Sequence, residues 1–527
     1  MRTKYFLLLT AGAIASLSLN GCGAKTKSDE YDRYNRLKIS VSNLYFGDYE
    51  GGDSYLEQIQ NDFGVKFTLY SYPWDTWEQK VSGEVNSRNL SDVFHANIDS
   101  YNFGSSYKFW AEDGILKPLP EDLSRWPNLN AMLENTSNID ALKLNGKLYG
   151  IPVAKNTSDY SCTFSPFTYI YRRDWAKKYG VYQENDEYTW TQFEALLKAF
   201  KKNLPSDTYA LGDVEWGAPS ITNFYKQVPH CFAYDEATNK YVCNYTTNEY
   251  IKGLNEAKRF KQQGYYYEAQ NEAADGELNK LYYGNRIGVF YENLSYTNFN
   301  DLRRQLITSN TDTPNFNIDD AVAIMKIRGE DGKYVLEGTD NWFSMTLFDN
   351  RISNKKLEKI LDILDYLLSE EGTRFAIYGF EGYDYNMVDG KVVIDEDYWP
   401  KELDGEYARK DNGGKYLRYL ATLGYDTLSY DPLTHKPTVK YLENWEKEMH
   451  EAYDNGELKV LKERTEVMWL TTKWKSKLSG GMRKAALKNA MKYMWSDPEV
   501  DTISKYKDKF GYPWPEVLEE INNALGK

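Results

Sequence analysis

The chain has 527 residues, and its 64 lysines and arginines against 78 aspartates and glutamates give a formal charge of −14. That length exceeds what one hydrophobic core serves, so two domains of roughly 200–250 residues are expected. The acidic balance excludes a nucleic-acid binder, because the one basic-rich stretch, Lys473 to Lys492, reads as the solvated face of a helix.

At the N-terminus, Arg2 and Lys4 precede an uncharged run from Tyr5 to Leu19. About 15 apolar residues are too few for a membrane span, which needs roughly 20, so residues 1–21 are expected to be a cleaved signal peptide. Leu19-Asn20-Gly21-Cys22 resembles the bacterial lipobox, with Asn20 an uncommon residue at its place; an ordinary secretory signal with an incidental cysteine is the alternative. The resemblance implies lipidation (palmitate) of Cys22 and a protein held on the outer, extracellular face of the cell membrane. Residues 22–36 are polar and without apolar periodicity, as a flexible tether should be.

Leu37 to Val41 alternates as a strand does, Ser54 to Phe63 has helical spacing, and Val65 to Tyr70 is a second strand, giving a β-α-β unit. A helix near Trp74 to Ser87 then leads to a third strand, Asp92 to Ala96, so a parallel sheet flanked by helices opens the fold. Thr189 with Gln192 forms a capping-box signature ahead of Phe193, Leu196, Leu197 and Phe200. Cys231 and Cys243 flank a hairpin turn at Asp235 to Asn239, and whether they oxidise to a disulfide stays open. Leu357 to Leu368 keeps helical spacing behind Ser353-Asn354. The tail to Lys527 reads as mostly helical, with Trp474, Leu478, Met482 and Ala485 as a buried face.

Several segments, taken in order, carry a resemblance. They are Asp113 to Leu119, Asn145-Gly146-Lys147-Leu148-Tyr149-Gly150-Ile151-Pro152, Tyr169 to Trp175 followed by Tyr179-Gly180, Gly284 to Phe290, and Ser369 to Tyr385. From Leu37 to Tyr385 the chain resembles the extracellular solute-binding lipoproteins of ABC importers, in the branch associated with oligosaccharide uptake (family 1). The resemblance implies an α/β, two-lobed periplasmic-binding-protein-like fold of type II. Each lobe would be a mixed sheet flanked by helices, with hinge crossings. The first lobe is expected over 37–155 and 326–385, and the second over 156–325 and 386–527. The resemblance also implies ABC permease subunits as partners and a ligand held between closing lobes. Members of this branch often carry a calcium loop after the Thr-Trp helix; here Lys202 to Thr208 supplies one carboxylate, so no metal and no cofactor are expected.

Aromatic residues make up 16% of this polar chain, including 46 Tyr and 14 Trp, which suits a sugar: C–H faces stack on rings while hydroxyls need polar partners. Rings and polar side chains in loops at strand ends are the candidates for ligand binding. They are Phe46, Asp48 and Tyr49 after the first strand, Trp74 after the second, and Asn97, Asp99 and Tyr101 after the third. Tyr291 and Glu292 follow a second-lobe strand, and Trp342 lies in a crossing region. The four histidines, at 95, 230, 435 and 450, show no metal-ligand spacing, and no Gly-x-Ser-x-Gly elbow occurs, so no catalytic residue is assigned. A peptide or amino-acid ligand is the alternative for the same architecture, and a secreted carbohydrate-active enzyme is a more remote one. A lobe-closing receptor needs no partner subunit, so a monomer is expected.

Overall fold

The computed structural model describes residues 30–44, 52–73, 76–96, 104–154, 163–165, 167–213, 219–228, 232–267, 277–294, 296–394, 415–425, 430–431, 436–437, 440–462 and 514–527. Cys22, Cys231 and the expected buried face from Trp474 to Ala485 lie outside them.

Two five-stranded sheets organise the molecule. The first takes β1 (Leu37–Asn43), β2 (Val65–Ser71), β3 (Val93–Ala96) and β4 (Gly150–Ala154), and later β14 (Trp342–Phe348), in the order β2-β1-β3-β14-β4. β1 pairs in parallel with β2 and β3, while β14 runs antiparallel between β3 and β4. The expected β-α-β opening is therefore present, with β1 continuing to Asn43 and the second helix starting at Trp77. Helix Ser54–Phe63 begins where the Asp53 carboxylate accepts the N–H groups of Tyr55 and Leu56, and it ends at Gly64, whose φ of 63° lies in the left-handed region. Its Leu56 and Ile59 are buried with Ile39 and Val41 and with Leu361 and Leu364 of helix Asn354–Leu368. On the sheet's other face Trp77, Phe94, Trp110, Trp342 and Met345 form a separate core.

Between the sheets comes β5 (Thr163–Phe164). The second sheet takes β6 (Phe167–Arg172), β7 (Glu187–Thr189), β8 (Tyr209–Gly212), β11 (Ile287–Asn293) and β12 (Val322–Arg328), in the order β7-β12-β6-β11-β8. Thr189 and Gln192 make the expected reciprocal cap on helix Trp190–Asn203, which buries Phe193, Leu196, Leu197 and Phe200 against this sheet. The Phe200 ring lies directly over Gly288, in space that a β-carbon there would occupy, which explains a glycine inside a strand. The expected hairpin is β9 (Phe232–Asp235) with β10 (Lys240–Cys243); Asp235 accepts from Ala237 N–H and the Thr238 hydroxyl within the turn.

Other elements differ from the sequence reading. A three-stranded sheet joins β5, β13 (Tyr334–Thr339) and β19 (Leu458–Leu461) in the order β19-β13-β5. The tail also holds the small hairpins β15 (Tyr385–Val388) with β16 (Lys391–Ile394) and β17 (Tyr430–Asp431) with β18 (Lys436–Pro437), beside helices Lys415–Ala421, Lys440–Asp454 and Trp514–Ala524. The sequence reading places 386–527 whole with the second lobe, yet Leu417, Leu420, Leu423 and Tyr425 are buried in the first core. The Asp53 carboxylate explains part of this return: its second oxygen accepts the N–H groups of Tyr416 and Leu417, so one side chain caps two helices. The expected boundary at residue 326 also falls inside β12, and the chain regains the first sheet only at Trp342.

Candidate functional site

The parallel strands of each sheet end on one edge. In the first sheet β1, β2, β3 and β4 stop at Asn43, Ser71, Ala96 and Ala154, and antiparallel β14 starts at that edge with Trp342 paired to Ala154. In the second sheet β8 and β11 stop at Gly212 and Asn293, beside Phe167 at the start of antiparallel β6. Ligand sites in α/β sheets lie at such carboxyl ends, where loops converge.

A buried polar network underlies the first edge. Asn43 Nδ2 donates to the Tyr419 carbonyl and the Thr422 hydroxyl, both at 3.1 Å. Its Oδ1 is thus left to accept from His95 Nδ1 at 2.8 Å, which fixes the neutral tautomer with the proton on Nδ1; Nε2 then accepts from the Ser344 hydroxyl. His95 is fully enclosed, and burial pushes its pKa down to about 3. The Trp77 indole N–H donates to the His95 carbonyl at 2.8 Å, and Thr346 donates to the Leu423 carbonyl at 2.7 Å. The returning segment 415–425 is therefore joined to β1 and β14 by hydrogen bonds, in a setting where unpaired polar atoms are costly.

The second edge is aromatic. Tyr291 packs 4.8 Å from Tyr169 and 6.1 Å from Phe167, ring centre to ring centre, and Asn223 donates to its hydroxyl at 2.9 Å. Tyr169 donates to Ser220 at 2.6 Å, and Ser220 in turn hydrogen-bonds the Asp213 carboxylate. Burial, with the Asp213 charge added, holds the Tyr169 and Tyr266 phenols well above their usual range, so both remain neutral. Phe167, Tyr169, Asn223, Tyr291, Leu336 and Trp445 border a water-sized cavity of about 30 Å³.

Among the candidates read from sequence, Phe46, Asp48, Tyr49, Trp74, Asn97, Asp99 and Tyr101 lie outside the described residues. Tyr291 and Glu292 stand together at the end of β11, both largely buried; Glu292 accepts from the Asn293 N–H at 2.7 Å. Trp342 is buried in the first lobe with its indole N–H on the Ser137 carbonyl at 3.0 Å, so the structure does not bring it to the Tyr291 cluster. The sequence reading missed Asn43, Asn223 and Asp213, although Asn43 ends a strand and Asp213 directly follows one. Among the described residues no group of three or more His, Cys, Asp or Glu side chains is arranged to hold a metal, and no helix is long and apolar enough to cross a membrane.

The model of the bacterial extracellular solute-binding protein family matches residues 54–280. That match covers less than half of the chain. The likeness to solved structures extends well beyond those residues. An alginate-binding protein, AlgQ2, solved without calcium ion, is similar over 93% of this chain and 98% of its own, with a TM-score of 0.62 at 14% identity. The FusA substrate-binding protein of an ABC transporter from S. pneumoniae, an EF-hand mutant in complex with fructo-nystose, is similar over 92% and 98%, with a TM-score of 0.64 at 14% identity. The N-glycan transport solute-binding protein NgtS from Streptococcus pneumoniae gives 0.57 at 18% identity over 92% and 97%. At these identities the likeness establishes the periplasmic-binding-protein-like fold. No curated protein matches the sequence.

Proposed function

We propose that this protein captures an oligosaccharide between its two lobes and delivers it to the permease of an ABC importer, acting as a monomer and binding without chemical change. The observation that carries this reading is the fold shared over 92–93% of the chain with proteins described as binding alginate, a fructo-oligosaccharide and N-glycan. The aromatic edge at Tyr291 adds to it, since stacked rings beside amides and hydroxyls suit a sugar's alternating C–H and O–H surface. Tethering by lipid at Cys22 would keep the receptor at high effective concentration beside its transporter. Phe46, Asp48, Tyr49, Trp74, Asn97, Asp99 and Tyr101 are proposed to face the ligand from the first lobe and Glu292 from the second. Trp342 is proposed to act on the ligand only through the crossing that it braces.

A thermal-shift screen over defined oligosaccharides tests the proposal. A matching sugar at 100 times its dissociation constant should stabilise the protein by about 2.7 kcal/mol with the sugar recovered intact. New reducing ends would point to an enzyme instead, and stabilisation only by peptides would redirect the ligand class. Trp74→Ala should weaken binding of the best sugar by about 1–3 kcal/mol while leaving the unliganded melting temperature near that of the parent, as checked by titration calorimetry.

A further inference from the structure

The middle crossing changes sides over a single peptide bond. Up to Thr339, β13 belongs with the second lobe. Gly338 and Thr339 pair with Phe164 and Thr163, Glu337 forms a partly buried ion pair with Lys226 at 3.0 Å, and Leu336 and Tyr334 share a core with Met449 and Ala452. From Asp340 the chain is clamped to the first lobe by the loop Asn135 to Asn138. Asn138 Nδ2 donates to Asp340 Oδ1 at 2.7 Å. Asn341 Oδ1 accepts from the N–H and the hydroxyl of Ser137, both at 2.9 Å, and its Nδ2 donates to the Asn135 carbonyl at 2.8 Å. The Trp342 indole on the Ser137 carbonyl completes the clamp.

Two groups straddle this junction. Lys462, which directly follows β19 and so travels with β13, places its ammonium 3.8 Å from Asp340. The Thr339 hydroxyl is buried at the junction and has no hydrogen-bond partner among the described residues. Resting on the two-lobed receptor read above, we infer that the Thr339–Asp340 link is a pivot of lobe motion and that Lys462 is a positioning residue. Its ion pair with Asp340 crosses the pivot and biases the balance between lobe arrangements without touching ligand. A bias of this kind sets apparent affinity through the fraction of protein already in the binding-competent state.

The experiment is small-angle X-ray scattering of the ligand-free protein, fitted as a mixture of two lobe separations, at low and high salt. Lys462→Met should change the ratio of the two populations about two- to five-fold, the range for a partly exposed ion pair, and should remove its salt dependence. Lys462→Arg should restore both. Because no ligand is added, failure of the oligosaccharide proposal leaves this readout intact. The inference is overturned if Lys462→Met scatters as the parent does at both salt concentrations, or if Lys462→Arg behaves as Lys462→Met does.

Discussion

Replacement of Asp53 by alanine should destabilise the first lobe by about 2–4 kcal/mol, because two helix N-termini lose their acceptor in one change. One carboxylate oxygen serves Tyr55 and Leu56 at the start of helix Ser54–Phe63, and the other serves Tyr416 and Leu417 at the start of helix Lys415–Ala421. The site is almost closed to water, with Asp53 only 4% exposed, so solvent cannot replace the lost bonds cheaply. For a lobe of this size the melting temperature should fall by about 5–15 °C. An asparagine side chain would retain one acceptor oxygen and turn its NH₂ toward the other helix, so Asp53→Asn should fall between parent and alanine. Calorimetric scans of the three proteins read this directly. A melting temperature unchanged in Asp53→Ala would mean that the apolar contacts of Leu417 and Leu420 hold the returning helix without the cap.

Acid should weaken the protein through His95. An unfolded histidine titrates near 6.5, whereas the buried ring in the native state stays neutral down to about 3. Between those values the unfolded chain binds a proton that the folded chain refuses, so stability falls as pH drops through that window and levels off below it. From pH 7 to pH 5 the loss from this residue alone is about 2 kcal/mol. Geometry explains the refusal: Nδ1–H is committed to Asn43, and a proton on Nε2 would face a Ser344 hydroxyl that must turn around inside a fully buried site. His95→Gln can donate to Asn43 and accept from Ser344 while lacking a titratable ring. Urea unfolding at the two pH values should therefore show the parent losing about 2 kcal/mol more than the variant. Equal losses would remove His95 as the source of acid sensitivity.

Local chemistry makes part of this fold legible in the amino-acid sequence. The Thr189-Gln192 pair announces a helix start because each side chain satisfies the other's backbone N–H. The Asp235 to Asn239 turn carries its own acceptors and a residue tolerant of positive φ, and the strands around it pair as expected. What escaped the sequence reading depends on partners far along the chain. Leu417 and Leu420 show that a helix packs, and distant partners, Asp53, Asn43 and Thr346 among them, determine which core receives the segment. Leu458 to Leu461 is four residues long, too short to be told from a helical fragment until β13 lies beside it. At the site, the sequence reading sets Tyr291 and Glu292 after a strand, whereas β11 runs on to Asn293 and takes in both as paired residues. Trp342, read from sequence as part of a crossing, is the first residue of β14; the Ser137 carbonyl that holds its indole comes from a loop with no pattern of its own.

The return of residues 415–425 has a consequence for the order in which the molecule is made. The first sheet and its helices are synthesised early, yet their core lacks Leu417, Leu420 and Tyr425, and Asp53 and Asn43 lack their partners, until most of the chain exists. Contacts separated by more than 360 residues are slow to form, since a long loop must close before they contribute. A nascent first lobe is therefore left short of its final contacts while the ribosome works through the second. Such a delay keeps the leading half pliable until the trailing half can finish it.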